Sequence, residues 1–99
     1  MKGNLGEVVK YLDKMYGKFI QTVMRDPDDD EVVVVYGQDN FGDSHWRFYI
    51  YMLDCSTELE IDDGYCVDSD DIEFFHKVYE NIEEISGIYH KRGIGFNEW

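Results

Sequence analysis

The segment Glu31-Val32-Val33-Val34-Val35-Tyr36 decides the fold of this 99-residue chain. Its four consecutive valines favour an extended backbone, because β-branched side chains pack well on a pleated surface and lose rotamer freedom in a helix. The segment is also too short to form a stable helix. Successive side chains of a strand point to opposite faces, so a continuous apolar run needs cover on both faces. We therefore predict a central strand here.

A second strand is predicted over residues 45–53, after a loop over residues 37–44 that is rich in Gly, Asp and Asn. Alternation along this strand assigns Trp46, Phe48, Ile50 and Met52 to one face, and Arg47, Tyr49, Tyr51 and Leu53 to the other. Residues 57–61 and 65–67 flank Asp62-Asp63-Gly64. This arrangement predicts a hairpin with a glycine-containing turn.

Two amphipathic helices are predicted to flank these strands, over residues 5–24 and 70–86, where apolar residues recur at spacings of three and four. Asn4 and Glu7 have the capping-box spacing at the first helix, which is expected to end at Asp26-Pro27. The acceptable N-caps of the second helix are Asp68, Ser69 and Asp70, and Asp70 with Glu73 has capping-box spacing. Residues 90–99 are expected to pack through Ile94 and Phe96.

These elements predict an α+β fold: an antiparallel sheet of about four strands flanked by an N-terminal and a C-terminal helix, in the order α-β-β-β-β-α. Hydrophobic residues make up 43% of the chain and aromatic residues 16%, which is too apolar for an acidic disordered tail. A chain of this length suits a single compact domain, here residues 1–99.

The N-terminal residues 1–7 contain no apolar core of signal-peptide length. The longest apolar run, residues 32–36, is far shorter than the roughly 20 residues that a membrane helix needs. Cys55 and Cys66 lie eleven positions apart without a CxxC motif. We therefore expect reduced thiols, with a disulfide between them as the alternative, in a cytoplasmic protein, or in the host-cell cytoplasm if the source is viral.

The charge of the chain is unevenly distributed. The 22 acidic and 9 basic residues give a formal charge of -13. Residues 26–86 alone carry -17, whereas residues 1–25 carry +3 and residues 87–99 carry +1. Direct binding to a nucleic-acid backbone is disfavoured, because phosphate contacts require a positive surface. Adaptation to high salt is disfavoured by the six lysines, four of which lie in the first eighteen residues.

We expect the acidic side chains to form a partner-binding surface. Glu58, Glu60 and Asp62 alternate with apolar residues, which places three carboxylates on one strand face at intervals of about 6.6 Å. Other acidic residues precede the first strand or surround the start of the second helix. The predicted partner-binding residues are Asp28, Asp29, Asp30, Glu58, Glu60, Asp62, Asp63, Asp70, Asp71 and Glu73.

A nucleic-acid strand presents negative charges about 3.4 Å apart along the duplex axis, and a rigid row of carboxylates can occupy the groove that binds it. In size and charge the chain resembles small acidic inhibitors, namely phage proteins that block host restriction or CRISPR nucleases and bacterial immunity proteins that block nuclease toxins. The resemblance implies a protein partner with a basic nucleic-acid-binding groove. The alternative is a non-enzymatic interaction or regulatory domain with an acidic surface, with or without weak Ca²⁺ or Mg²⁺ binding.

Other motifs are weaker. The acidic run from Asp26 begins like an EF-hand loop, but Glu31 and Gly37 occupy the positions that require Gly and a bidentate Glu. His45, His76 and His90 lack metal-ligand spacing, and no nucleophile signature is present. We expect no catalysis, cofactor, resident metal or membrane. The basic stripe Lys10, Lys14 and Lys18 is expected to be a solvated face that partly compensates the nearby acids. The alternatives are binding to an acidic partner and a homodimer in which this helix meets the acidic sheet of another copy.

Overall fold

The valine segment lies in the second strand of a four-stranded antiparallel sheet in the computed structural model of the chain, which describes residues 3–16, 22–38 and 41–90. The elements are α1 (Leu5–Tyr16), β1 (Thr22–Asp26), β2 (Asp29–Gln38), β3 (Ser44–Tyr51), β4 (Ser56–Ile61), α2 (Ser69–Glu80) and α3 (Ile82–His90). The strands lie in the sheet in the order β1-β2-β3-β4. The α+β class and the α-β-β-β-β-α order are confirmed, with two helices at the C-terminal end in place of one.

Strand β2 is central, as its sequence predicts. Val33 pairs with Ile50 and Val35 pairs with Phe48, so these four side chains share one face of the sheet. All four are buried, together with Trp46 and Met52, which confirms the predicted alternation of β3. The helices complete this core with Val8 and Leu12 from α1, Val78 from α2, and Ile85 and Tyr89 from α3.

The aromatic part of the core fixes α2 against the sheet. The Trp46 and Phe75 rings are perpendicular to each other, with their centroids 4.7 Å apart. The centroid of the Phe48 ring lies 4.8 Å from that of Phe75. Gly37 stands opposite Trp46 across the β2–β3 ladder, and a β-carbon there would overlap the indole. Glycine is therefore required at position 37 by close approach, because the indole occupies the space of a side chain.

The predicted first helix is wrong in its last part, because residues 22–26 form β1. Thr22 to Arg25 pair with Tyr36 to Val33 of β2, and the chain reverses at Pro27 and Asp28. Proline at the second position of a turn, with aspartate before it, is a turn signature as well as a helix stop. Pairing with the valine strand overrides the helical spacing of the apolar residues. Residues 17–21 lie outside the described part of the chain.

The predicted strand over residues 65–67 is also wrong. The backbone N–H of Tyr65 donates to Asp62 O at 3.1 Å, closing a turn in which Gly64 has a φ of 81°. The Tyr65 ring stacks on His45, with centroids 4.6 Å apart. Residues 65–68 then lead into α2 instead of pairing back along β4.

The predicted second helix is divided at Asn81. Its backbone N–H and its side-chain amide both donate to Lys77 O, which ends α2, and its carbonyl accepts from Ile85 N in α3. The N-cap of α2 is Asp68, whose Oδ1 accepts from Asp71 N at 3.0 Å, and not the Asp70–Glu73 pair. At α1 the predicted cap is confirmed, because Asn4 Oδ1 accepts from Glu7 N.

Cys55 and Cys66 are both free thiols, as expected. None of the helices in residues 3–16 and 69–90 has the length and hydrophobicity needed to cross a membrane. The expected packing of Ile94 and Phe96, and Lys18 of the basic stripe, lie outside the described residues. Lys10 of that stripe pairs with Glu7 at 3.4 Å.

Two glycine substitutions are expected to change stability in opposite directions. Gly37→Ala should lower the free energy of unfolding by about 1–3 kcal/mol, because the added methyl group displaces Trp46. Gly87→Ala should raise it by about 0.5–1 kcal/mol, because this helical position is open and alanine favours a helix. Urea denaturation with near-ultraviolet circular dichroism of the tryptophans measures both. Equal effects of the two substitutions would contradict the close Gly37–Trp46 packing.

Candidate functional site: the acidic outer face of the sheet

The face of the sheet opposite the helices carries the predicted β4 carboxylates. Arg47 pairs with Glu60 and Tyr49 pairs with Glu58 across the β3–β4 ladder, so these side chains share one face. The side chains that alternate with them on β3, such as Phe48, are buried in the core. We call the set Arg47, Tyr49, Tyr51, Glu58, Glu60 and Asp62 the outer-face cluster.

Hydrogen bonds from β3 hold the β4 carboxylates in place. The Tyr51 hydroxyl donates to Glu58 Oε1 at 2.7 Å, and the Tyr49 hydroxyl donates to Glu60 Oε1 at 2.9 Å. Arg47 Nε donates to the same Glu60 oxygen at 3.0 Å. The tyrosine bonds oppose loss of the phenol proton: the bond to Glu60 raises the pKa of Tyr49, and the bond to Glu58 raises the pKa of Tyr51 to about 12. Arg47 and then Tyr49 lower the pKa of Glu60.

Arg47 also links β4 to the turn that follows it. Its second guanidinium nitrogen donates to Asp62 Oδ1 at 3.0 Å, while His45 Nδ1 lies 3.9 Å from Asp62 Oδ2. Arg47 thus spans two carboxylates that follow one another on the same strand face. The outer-face cluster contains three carboxylates, those of Glu58, Glu60 and Asp62, and one guanidinium, so its net charge is about -2 at neutral pH.

A second group of predicted residues lies at the end of the sheet where β4 leads into α2. Asp71 is half-buried there, and its Oδ2 accepts from Trp46 Nε1 at 3.3 Å. Burial, and then the charge of Asp68, raise the pKa of Asp71. Glu73 pairs with Lys77 at 3.2 Å one turn along α2. Asp63 and Asp70 are exposed beside this end.

The remaining predicted residues lie at a different corner of the sheet, with Asp28 in the β1–β2 turn and Asp29 and Asp30 at the start of β2. Strand β4 is two strands from β2, or about 10 Å. Tyr36, in the row of Glu60, is seven residues along β2 from Asp29, or about 23 Å. The structure therefore separates the predicted acids: Glu58, Glu60 and Asp62 lie on the outer face, whereas Asp70, Asp71 and Glu73 belong to α2, which covers the other face. The Asp28 turn lies roughly 25 Å from Glu60.

These turn residues are engaged locally. Asp26 Oδ1 accepts from Asp28 N at 2.8 Å, and Asp29 Oδ1 accepts from Glu31 N at 2.9 Å. The Asp30 carbonyl accepts from the Tyr89 hydroxyl. The carboxylates of Asp26 and Asp29 thus stabilise the β1–β2 turn, and the backbone of Asp30 connects it to α3.

Three members of the site, Arg47, Tyr49 and Tyr51, are not identified as such by the sequence pattern. Alternation assigned these three residues to the same face of the strand, but their role depends on which residues of β4 lie opposite them. That register is a tertiary property: alternation predicts the face of a strand and leaves its partner residues open. The sequence feature that could have identified them is a row of Arg and Tyr on one strand, followed by a strand in which Glu alternates with apolar residues.

A Ser-His-Glu arrangement also joins α3 to the sheet. His90 Nε2 contacts Glu31 Oε1 at 2.5 Å, and its Nδ1 lies 3.4 Å from Ser86 Oγ. Ser86 is buried, and its hydroxyl donates to Met52 O at 2.6 Å. Because the proton of Ser86 points at a backbone carbonyl, this arrangement fastens α3 to β2 and to the turn after β3.

Across residues 3–16, 22–38 and 41–90, no group of three or more His, Cys, Asp and Glu side chains is arranged to hold a metal ion. No family model matches the sequence, and neither a curated protein nor a solved structure matches it significantly. Function is therefore inferred from the chemistry of the outer-face cluster itself.

Glu58→Gln should lower the pKa of Tyr51 from about 12 toward the ordinary value of 10.0, because a neutral amide accepts the phenol hydrogen bond more weakly than a carboxylate and no longer repels the phenolate. Alkaline titration followed by carbon NMR of labelled tyrosine ζ carbons measures it. Glu80→Gln, an exposed change on α2, is the control and should leave this titration unaltered. An unchanged Tyr51 titration in Glu58→Gln would contradict the Tyr51–Glu58 bond.

Glu60 should make the free energy of unfolding depend on pH. Its pKa is lower in the folded chain than its ordinary 4.5, so its contribution is present above pH 4.5 and is lost as pH falls through the folded value. Glu60→Gln removes that contribution. In thermal unfolding, the wild type should have a higher midpoint than Glu60→Gln at neutral pH, and the difference should be smaller at about pH 3. A difference that does not vary with pH would refute the Arg47–Glu60 interaction.

Proposed function

We propose that this chain is a small acidic protein inhibitor that blocks a nucleic-acid-binding enzyme by occupying its nucleic-acid groove. The enzyme class is a nuclease, a restriction or CRISPR effector, or a nuclease toxin, encountered in the cytoplasm. The proposal depends on one observation: Tyr51, Tyr49 and Arg47 hold the carboxylates of Glu58 and Glu60 in a fixed row. The chain acts by binding and not by catalysis, and it makes no direct contact with nucleic acid.

The spacing of the row supports mimicry. Alternate residues of a strand are about 6.6 Å apart, which is close to two steps of about 3.4 Å between phosphates along a duplex axis. The fixed geometry also reduces the side-chain entropy lost on binding, because rotamers already selected in the free protein need not be ordered again. A flexible acidic loop would present the same charge without these two properties.

The surrounding charge supports rapid association with a basic groove. Residues 26–86 carry a formal charge of -17, and Asp63, Asp70 and Glu73 are exposed in the segment that runs from the end of β4 into α2. Steering by such a field raises association rates by about 10-fold to 1000-fold at low salt. In this proposal Asp28, Asp29 and Asp30 form a separate contact at the far corner of the sheet.

Neutralisation of Glu58, Glu60 and Asp62 is expected to weaken partner binding more than it lowers the free energy of unfolding. Charge reversal at positions 60 and 62 would place a cation beside Arg47, so the better substitutions are Glu58→Gln, Glu60→Gln and Asp62→Asn, whose amide oxygens still accept hydrogen bonds. The matched control carries Asp13→Asn, Glu80→Gln and Glu83→Gln, three exposed positions outside the predicted site. Both variants change the net charge equally.

The measurement is capture of proteins from a bacterial lysate on the immobilised chain, at about 50 mM salt, followed by elution with a DNA duplex. We expect enrichment of nucleic-acid-binding enzymes that duplex DNA releases, about tenfold weaker capture by the site variant, and control capture within about threefold of wild type. Captured proteins that bind no nucleic acid, or that DNA does not displace, would favour the regulatory-domain alternative and refute mimicry.

A further inference from the structure

Strand β4 is an edge of the sheet. Its neighbour on one side is β3, and among the described residues no strand pairs with its other side. Asp62 N donates to His45 O at 2.9 Å, and bonding alternates along an antiparallel ladder. The backbone groups of Ser56, Glu58 and Glu60 therefore face β3, whereas those of Thr57, Leu59 and Ile61 face the open edge.

The two faces of this edge differ in chemistry. The outer face presents the carboxylates of Glu58, Glu60 and Asp62. The face toward the helices presents Leu59 and Ile61, which are 37% and 41% exposed although they lie on the core side. An edge strand with open backbone groups and exposed aliphatic side chains is a template for pairing with another strand.

A groove continues this apolar surface onto α2. It has a volume of about 220 Å³ and runs between Leu59 on β4 and Phe75, His76 and Tyr79 on α2. Ile72 lies one helical turn before Phe75 and His76 on the same stripe, and Ile72 and Tyr79 are 44% and 62% exposed. The core thus remains partly uncovered along β4.

We propose that β4 accepts an extended segment of a basic protein partner as a fifth, antiparallel strand. Thr57, Leu59 and Ile61 supply the backbone hydrogen bonds, which is the general mode of strand addition. The segment alternates Lys or Arg with aliphatic residues. This inference rests on the proposed function in one respect, the positive charge of the partner.

The register between β4 and the partner segment explains why basic and aliphatic residues alternate in that segment. Because the backbone of Glu58 and Glu60 bonds to β3, the partner residues opposite them occupy non-hydrogen-bonded sites, where Cα atoms are only about 4.5 Å apart. Basic side chains at these sites lie directly beside the carboxylates. The aliphatic residues between them then face the side of Leu59 and the groove, where they bury apolar surface that is now exposed.

Charge complementarity selects this occupant over a second copy of the chain. Two copies of β4 pairing antiparallel about Leu59 would set Glu58 of one against Glu60 of the other. Like charges directly opposite each other destabilise a strand pair. The same carboxylates therefore oppose self-association and favour a cationic strand.

Synthetic peptides test the inference by calorimetry and by amide NMR of the intact chain. The probe is Lys-Val-Lys-Val-Lys-Val-Lys, with a control of the same composition in which the lysines and the valines are grouped in blocks. We expect the alternating peptide to bind about tenfold more tightly, with the largest amide shifts at Thr57, Leu59 and Ile61. Equal binding of the two peptides, with shifts spread over all acidic residues, would overturn strand addition.

Backbone methylation separates strand pairing from charge. In the expected register the valine N–H groups face β4 and the lysine N–H groups face away. Methylation of the valine nitrogens should weaken binding about tenfold, whereas methylation of the lysine nitrogens should change it less than about threefold. Leu59→Lys should weaken binding, and Leu53→Lys, in the exposed turn after β3, is its matched control.

The outcomes distinguish this inference from the proposed function. If both methylated peptides bind alike while duplex DNA still displaces captured enzymes, the strand addition fails and the mimicry stands. If the alternating peptide binds in register but DNA displaces no captured enzyme, the mimicry fails and the strand addition stands. A dimer of the free chain that Leu59→Lys dissociates, measured by sedimentation, would show that a second copy occupies the edge and would overturn the inference.

Discussion

Burial of β2 on both faces is the constraint on which the rest of the structure depends. Val33 and Val35 face the helices and are fully buried, and Val32 and Val34 face the other way with only 7% and 2% exposure. The second pair lies beside Tyr51 and Tyr49, their partners across the β2–β3 ladder. Cross-strand aromatic and β-branched neighbours stabilise one another. The same tyrosines that flank the outer valines therefore end in the hydroxyls that orient the carboxylates of β4.

Strand β3 thus serves the core and the candidate site at once. Its even-numbered residues from Trp46 to Ile50 are buried against the helices, while Arg47, Tyr49 and Tyr51 organise the acids of the next strand. An acidic surface built this way differs from a solvated acidic loop, since its charges are positioned by donors that are themselves fixed by a strand. The half-buried Asp71, held by Trp46, connects the same strand to the start of α2.

Much of this could be predicted from local patterns, because the valine run and the alternation of β3 reflect burial on known faces. Strand β1 could not be predicted in this way, because the apolar spacing of residues 22–26 fits a helix. Its pairing with β2 is decided by the Asp26-Pro27 turn. Tyr65 likewise stacks on His45 instead of extending a strand. For the site, alternation placed Glu58 and Glu60 on one face. The distance of Asp28 from them depends on strand order, which no local pattern contains.

The strand order has a consequence for how the chain folds. Each strand of the sheet pairs with its neighbour along the chain, so the sheet can assemble by successive closures of short loops, which cost little entropy. The helix contacts span longer separations, and one of them joins the two ends of the described chain: Asn4 N donates to Tyr89 O, and the Tyr11 hydroxyl donates to Glu84. Docking of α1 on α3 is therefore the contact of longest sequence separation. Because it closes the longest loop, we expect this contact to form last.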